Sequence, residues 1–333
     1  MPRVQLTQIS SRAWEHPADR AALNTLRAIP GFDEVVRKIA GFFGERGVRQ
    51  LFLANAVRVD ARQRPQLNAR FTEVLETLDW PTRPQLYVTQ TPFVNAGAVG
   101  FEEPFIVINS ATLATLNEEE QRFILAHELG HIMSGHTTYR TIAIIVITFG
   151  LSNLPFLAGM ALLPFQLALM EWYRMSEMSC DRAGLLGTQD LNVAMGSFMK
   201  LAGGTPPAGD EASLEAFMEQ AAEYETGGNA WDTVLKLLNT AFREHPFNTV
   251  RAAELLRWQE TGAYDTILSG TYTRRGTEGE HPLSDDYADA AGYYGEKTRA
   301  TLRQFGDVVN RAKDAFTEAW RGSGSGSGNT GTP

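Results

Sequence analysis

The sequence predicts a mainly helical protein carrying a small β-sheet, and three observations predict it. Apolar residues recur at three- and four-residue spacing along 19–28, 33–43 and 65–78, the last placing Leu67, Phe71, Val74, Leu75 and Leu78 on one face. Only two short runs, 85–88 and 104–109, read as strands, with the small Gly-rich stretch 95–100 between them as a strand edge or tight hairpin. Asn117 then opens the best-marked helix: it is a good N-cap, Glu120 stands three residues on as a capping box requires, and Glu118 and Glu119 suit the positive end of the helix dipole.

Taken in order, Pro30-Gly31 separates the first two helices, Pro65 opens the third, and Pro81 and Pro84 end it. The capped helix follows the strands. Residues 141–170 then run for 30 positions without a charge, and 171–186 reads as a second long helix. A loop rich in Gly, Pro and acidic residues (203–211) leads to further helices, and 287–320 carries Leu302, Phe305, Val309, Ala312 and Phe316 at helical spacing. The Gly/Ser tail beyond 321 is too polar to fold. This divides the chain into an N-terminal helical region (1–80), a central domain (81–260), a C-terminal helical region (261–320) and a flexible tail (321–333).

Composition narrows the function. The 333 residues hold 30 basic and 39 acidic side chains, a net charge of −9 that argues against a nucleic-acid partner. One cysteine, Cys180, excludes an internal disulfide framework and any Cys-rich zinc module. The first twenty residues carry no apolar signal-peptide core, which predicts a cytoplasmic protein.

The chemistry concentrates in Leu125-Ala-His127-Glu128-Leu-Gly-His131. On a helix, positions i and i+4 share a face, so His127 and His131 can reach one metal ion, and Glu128 can take a proton from a metal-bound water. A catalytic zinc takes three protein ligands and leaves a position for water. His136 stands one residue away from where a third histidine on the same helix would serve, and about 100° of helix per residue turns it aside, which reads as a surface or packing histidine. A glutamate on the later helix is the better source, with Glu171 and Glu177 as candidates. Glu177 has Asp181 four residues on, able to accept a hydrogen bond from a zinc-bound imidazole, whereas Glu171 has Met175 there; Glu177 is the expected third ligand.

These residues resemble a known family. HELGH, the later Ser176-Glu-Met-Ser-Cys-Asp-Arg-Ala-Gly184 and His245-Pro246 followed by Arg251 are similar to the HtpX-like gluzincin metallopeptidases, whose relatives include the CAAX prenyl proteases. The likeness spans 84–257, including NAGAVGFEEPFIVINSATLATLNEEEQ, and departs at Cys180, where the family more often shows alanine. The resemblance implies a zincin-like gluzincin domain with one Zn2+ per chain on His127, His131 and Glu177, Glu128 as general base and acid, and His245 as a transition-state stabiliser. A histidine donor beside the metal would stabilise charge developing on the scissile carbonyl. Arg251 would pair with an acid to hold local structure, a substrate contact being its other reading. Asn95 and its neighbours resemble the edge strand along which an extended peptide aligns; the alternative is a plain turn residue. Cys180 reads as a buried structural residue.

The uncharged segment poses a topological question. One membrane crossing takes about 20 apolar residues and would place His131 and Glu177 on opposite sides of a bilayer, so a single span is incompatible with a shared metal. The expectation is a helical hairpin, 142–151 and 156–170, turned at Ser152-Asn153-Leu154-Pro155: either soluble core or lid, or a membrane contact that would make the protein peripheral on the inner face of the cell membrane. The predicted function is zinc-dependent endoproteolysis of protein or peptide substrates, in a protein-quality-control setting. Its rivals are a non-catalytic zinc-containing binding or chaperone-like module, and a small-peptide zinc hydrolase.

Overall fold

A computed structural model describes residues 3–28, 32–149, 163–205, 212–226 and 247–279. After a 3-10 turn (Ser11–Ala13), the chain forms α1 (Pro17–Arg27), α2 (Phe32–Leu53), β1 (Ala56–Arg58), α3 (Pro65–Thr77), β2 (Gln85–Thr89), β3 (Ala96–Val99), β4 (Phe105–Asn109) and α4 (Ser110–Thr115). There follow α5 (Glu118–Met133), α6 (Thr137–Phe149), α7 (Leu163–Thr188), α8 (Leu191–Gly203), α9 (Leu214–Thr226), α10 (Asn248–Glu260) and α11 (Ala263–Leu268). The expected mainly helical fold with a small sheet is what forms.

The sheet has four strands in the order β1-β2-β4-β3; β2 and β4 are parallel and the other pairs antiparallel. β4 is buried over Phe105, Ile106, Val107 and Ile108, and its alternating side chains feed two cores. Ile106 and Ile108 join Leu86, Phe71, Phe123, Leu125 and Phe198 on one face. Phe105 and Val107 join Leu26, Ile39, Ile142, Val146 and Trp172 on the other. α5 gives Phe123, Ile124, Leu125, Ala126 and Leu129 to the first core and is packed by α7, α3, α8 and β3, which explains why its residues from Glu120 to His131 are buried almost without a break.

Several expectations shift. The helix over 33–43 continues to Leu53, bending at Gly44, whose φ of 60° is open to glycine at little steric cost. β1 adds a strand that no apolar run of useful length announces. The described part of the second arm, 163–170, and the helix over 171–186 are one continuous helix, α7; the break expected at 170 fails because no proline, glycine or capping residue stands between 165 and 175. The first arm is α6, with Ile142, Ala143, Ile145 and Val146 buried in the second core. The turn at Ser152–Pro155 and the helix over 287–320 lie outside the described residues, as do the tail and most of the 203–211 loop. Among the described residues no helix is long and apolar enough to cross a membrane.

Candidate metal centre

Two helices build the site, and local sequence explains how they meet. α5 starts on the predicted capping box: Glu120 donates its backbone N–H to Asn117 Oδ1 at 3.0 Å and accepts from the Asn117 N–H at 2.8 Å. It ends at Met133 in a Schellman turn: Gly135 has φ of 69°, its N–H reaches Ile132 O at 3.1 Å, and His136 N–H reaches His131 O at 2.9 Å. α5 and α7 approach so closely that a Cβ on Gly130 would lie 2.7 Å from Ala183 Cβ, and one on Gly187 2.3 Å from Ala126 Cβ. That contact brings Glu177 of α7 against the histidine face of α5.

The three expected ligands converge. His131 Nε2 lies 3.3 Å from His127 Nε2 and 3.3 Å from Glu177 Oε1, and His127 Nε2 lies 3.4 Å from Glu177 Oε2. A tetrahedral ion with bonds of about 2.0–2.1 Å has ligand–ligand edges of about 3.3–3.4 Å, which the two imidazole nitrogens match, and Glu177 faces the pair with both oxygens, Oε1 toward His131 and Oε2 toward His127. Charge agrees. Asp19, Glu128, Glu177 and Asp181 are buried around the site with Arg140 and Arg251, four formal negatives against two positives, leaving the charge that one divalent cation would neutralise.

Behind the ligands lie two different supports. His127 Nδ1 is 3.0 Å from Asp181 Oδ1, and Asp181 accepts a bidentate pair from Arg251, Nε at 2.9 Å and Nη2 at 2.6 Å. His131 Nδ1 instead faces His136 Nδ1 at 3.2 Å, and His136 Nε2 lies 3.1 Å from Asp19 Oδ2 on α1. His136 is thus outside the predicted ligand set but buried rather than at the surface. The helical-wheel argument fails for it because the helix has already ended: Gly135 turns the chain back and returns the ring to His131. His131, His136 and Cys180 form a second compact donor group, with Cys180 Sγ 3.8 Å from His136 Nδ1.

Glu128, one residue past His127, is held against the sheet: its Oε2 accepts the Ala98 N–H of β3 at 2.7 Å. β3 is an edge strand, and Gly100, two residues on, donates its N–H to Thr141 Oγ1 at 2.9 Å. Asn95 stands exposed just before β3, its Oδ1 accepting the Ala96 N–H at 2.9 Å and its backbone bonded both ways to Thr112 Oγ1. Glu171 pairs with Arg174 instead of entering the site. His245 lies outside the described residues.

Arg140 is the site residue that sequence reasoning missed. On α6, fully buried, it places Nη1 2.6 Å from His131 Nε2 and donates to Glu177 Oε1, with Nη2 3.8 Å from Glu128 Oε2. Its guanidinium stacks over Tyr173 at 4.8 Å. The available signal was a lone charge nine residues after His131, on a helix otherwise uncharged from 137 to 149.

Electrostatics differ between the two imidazoles. Burial works against charge on His127, but hydrogen bonds to Asp181 and Glu177 and the field of both carboxylates outweigh it, raising its pKa to about 9. For His131 burial and the adjacent Arg140 prevail over Glu177, holding the ring well below the ordinary histidine range. Burial pushes the Cys180 thiol well up, aided by Glu177, so it is a protonated, inert group.

A mainly helical domain with HExxH on one helix and a facing glutamate on another defines a gluzincin-type metallopeptidase. The family model "Peptidase family M48" matches residues 61–259, and the chain belongs to that family of metal-dependent peptidases. It is 32% identical over 273 residues to the "Plastoglobule-localized metallopeptidase 48, chloroplastic" of Arabidopsis thaliana, covering 80% of this chain and 78% of that protein. It is 26% identical over 255 residues to a "Protease HtpX homolog" of Burkholderia ambifaria, covering 67% and 84%. A Helicobacter pylori "Protease HtpX homolog" matches over 82 residues at 32%, 24% of this chain and 26% of that one. No solved structure matches. The chain is a metalloprotease of the HtpX-like family.

Proposed function

We propose that the chain is a zinc-dependent endopeptidase in which His127, His131 and Glu177 hold one zinc ion and Glu128 is the general base. The observation that carries the reading is the convergence of the two imidazole Nε2 atoms, 3.3 Å apart, on the Glu177 carboxylate, whose Oε1 lies 3.3 Å from His131 and whose Oε2 lies 3.4 Å from His127. When bound, the ion acidifies a water molecule and polarises the scissile carbonyl. Glu128 accepts the proton of the attacking water at its carboxylate and delivers it to the departing nitrogen, so that a C–O bond forms, the C–N bond breaks and the products are a carboxylate and a free amine. The Ala98 N–H holds that carboxylate in place at 2.7 Å. An extended substrate would align along β3, an edge strand whose Ala98 and Gly100 N–H groups are taken by Glu128 and Thr141, a mode tolerant of sequence and suited to unfolded protein; Asn95 sits at the entry to that edge. Asp181 fixes the ring of His127, and Arg251 fixes Asp181. His245 supplies an oxyanion donor, on the family resemblance alone. Unfolded or membrane-associated protein is the proposed substrate class, in quality control.

Arg140 Nη1 lies against His131 Nε2 and Glu177 Oε1, the atoms that would hold the ion, so its guanidinium would have to withdraw for metal to bind.

The test is cleavage of an unfolded protein by wild type and Glu128→Gln, with zinc quantified in both. Loss of kcat by a factor of about 10²–10⁴ with zinc retained is expected. Zinc in both proteins with no cleavage by either would favour the binding module, cleavage confined to short peptides would favour the small-peptide hydrolase, and zinc in neither would remove the central assignment.

A further inference from the structure

We infer that Asp19 and His136 form a two-step relay that positions the His131 imidazole for metal. This rests on the reading of His131 as a ligand. His131 points Nε2 at His127 and Glu177, so the proton of its neutral ring sits on Nδ1. The atom facing that proton, at 3.2 Å, is His136 Nδ1. Accepting there places the His136 proton on Nε2, and Nε2 faces Asp19 Oδ2 at 3.1 Å. Each step fixes the tautomer of the next, and a carboxylate ends the chain, as carboxylates commonly do behind metal-bound histidines.

The elements of the relay are rigid. His131, His136 and Asp19 are each buried to 2% exposure or less. The Schellman turn at Gly135 fixes the backbone of His136, and Trp172 packs edge-on against its ring, centroids 5.6 Å apart. Asp19 is anchored by Ser179 Oγ, which donates to its Oδ2 at 2.6 Å while accepting the His16 N–H at 2.9 Å. Its other oxygen, Oδ1, is buried with no hydrogen-bond partner, so the carboxylate's specific bonds run through Ser179 and His136. Asp19 lies on α1, outside the stretch 61–259 that the family model matches. α1 is thereby part of the metal centre and more than a cover for the second core.

The alternative use of the same atoms is a second metal on His131, His136 and Cys180. It would need His136 Nδ1 as a ligand, and that atom is the acceptor of the relay.

The experiment uses the full chain with zinc and, separately, cobalt(II). Zinc affinity is measured by competition with a chromogenic chelator, and the ligand field by the visible absorption of the cobalt form. Asp19→Ala and His136→Phe are expected to bind zinc about 10–100-fold more weakly and to shift the cobalt bands. Asp19→Asn keeps an acceptor and loses less. Leu26→Ala loosens α1 in the second core without touching the imidazole chain, and keeps wild-type affinity while lowering the melting temperature. Unchanged zinc affinity and cobalt bands in Asp19→Ala and His136→Phe, with wild type binding zinc, would overturn the relay and leave the metal centre standing. Two ions per wild-type chain, one lost in Cys180→Ser, would overturn it in favour of the second metal site. No ion in wild type would overturn the metal centre itself, and the relay with it.

Discussion

His127 and His131 stand one helical turn apart on α5, and each has a buried carboxylate and a buried arginine, yet the two sides are arranged in opposite order. On the His127 side the arginine is at the back: Arg251 grips Asp181, which faces Nδ1. On the His131 side it is at the front: Arg140 lies against Nε2 itself, and the carboxylate Asp19 is two bonds behind. An arginine at the back strengthens the ligand's carboxylate whether or not metal is bound. One at the front neutralises the ligands only until a metal takes that role. Two like charges in one site thus have opposite relations to the metal.

Breaking each side in turn tests this. The largest effect is expected for Arg251→Met, which leaves Asp181 buried with no guanidinium; removal of one partner from such a pair costs about 3–5 kcal/mol, read as a fall in melting temperature with and without zinc. Equal stability of this variant and wild type would show that Arg251 is not the anchor of the His127 side.

pH sharpens the contrast in the metal-free protein. His127 is raised from its ordinary 6.5 to about 9, so its contribution is fully present below pH 6.5 and is lost as pH rises through 9, about 3 kcal/mol in all. His131 is depressed, so its contribution is present above pH 6.5 and is lost as pH falls. The metal-free protein should therefore be most stable near pH 6.5, falling on both sides in a denaturant titration. A stability that rises steadily from pH 6.5 to 9 would contradict the assignment of the charged imidazole to His127.

The smallest change is expected for Arg140→Gln. The metal-free form loses the cation that neutralises Glu177 and should melt lower, by about 1–3 kcal/mol, whereas the zinc form should melt as wild type does and bind zinc more tightly. Weaker zinc binding in this variant would place Arg140 among the groups that support the metal.

What the sequence disclosed follows from the range of each interaction. The capping box of Asn117 and Glu120, the i, i+4 spacing of His127 and His131, and the pairing of Glu177 with Asp181 are local patterns, legible because a helix dictates which residues share a face. Gly135 is equally local: a glycine after Ser134 signals that the helix ends before position 136. Asp19 and Arg140 were not legible, because each reaches the site through tertiary contact. Asp19 meets His136 across more than a hundred residues, and Arg140 in sequence is a single charge on an apolar helix, which suggests a flank before it suggests a site. β1, three residues long and largely exposed, carries almost no hydrophobic pattern.

The close approach of α5 and α7 has a bearing on metal choice. With Gly130 set against Ala183 and Gly187 against Ala126, the two backbones that carry the ligands are in contact, and neither can recede without opening a gap in the core. Calcium, whose bonds run to about 2.3–2.6 Å and whose shell wants six to eight oxygens, would force every edge of the triangle outward. With the proposed ligands, the glycines would make the protein selective by stiffness: ions that accept short bonds and few ligands would fit, and a larger ion would be refused by the spacing of two helices before donor chemistry has any say.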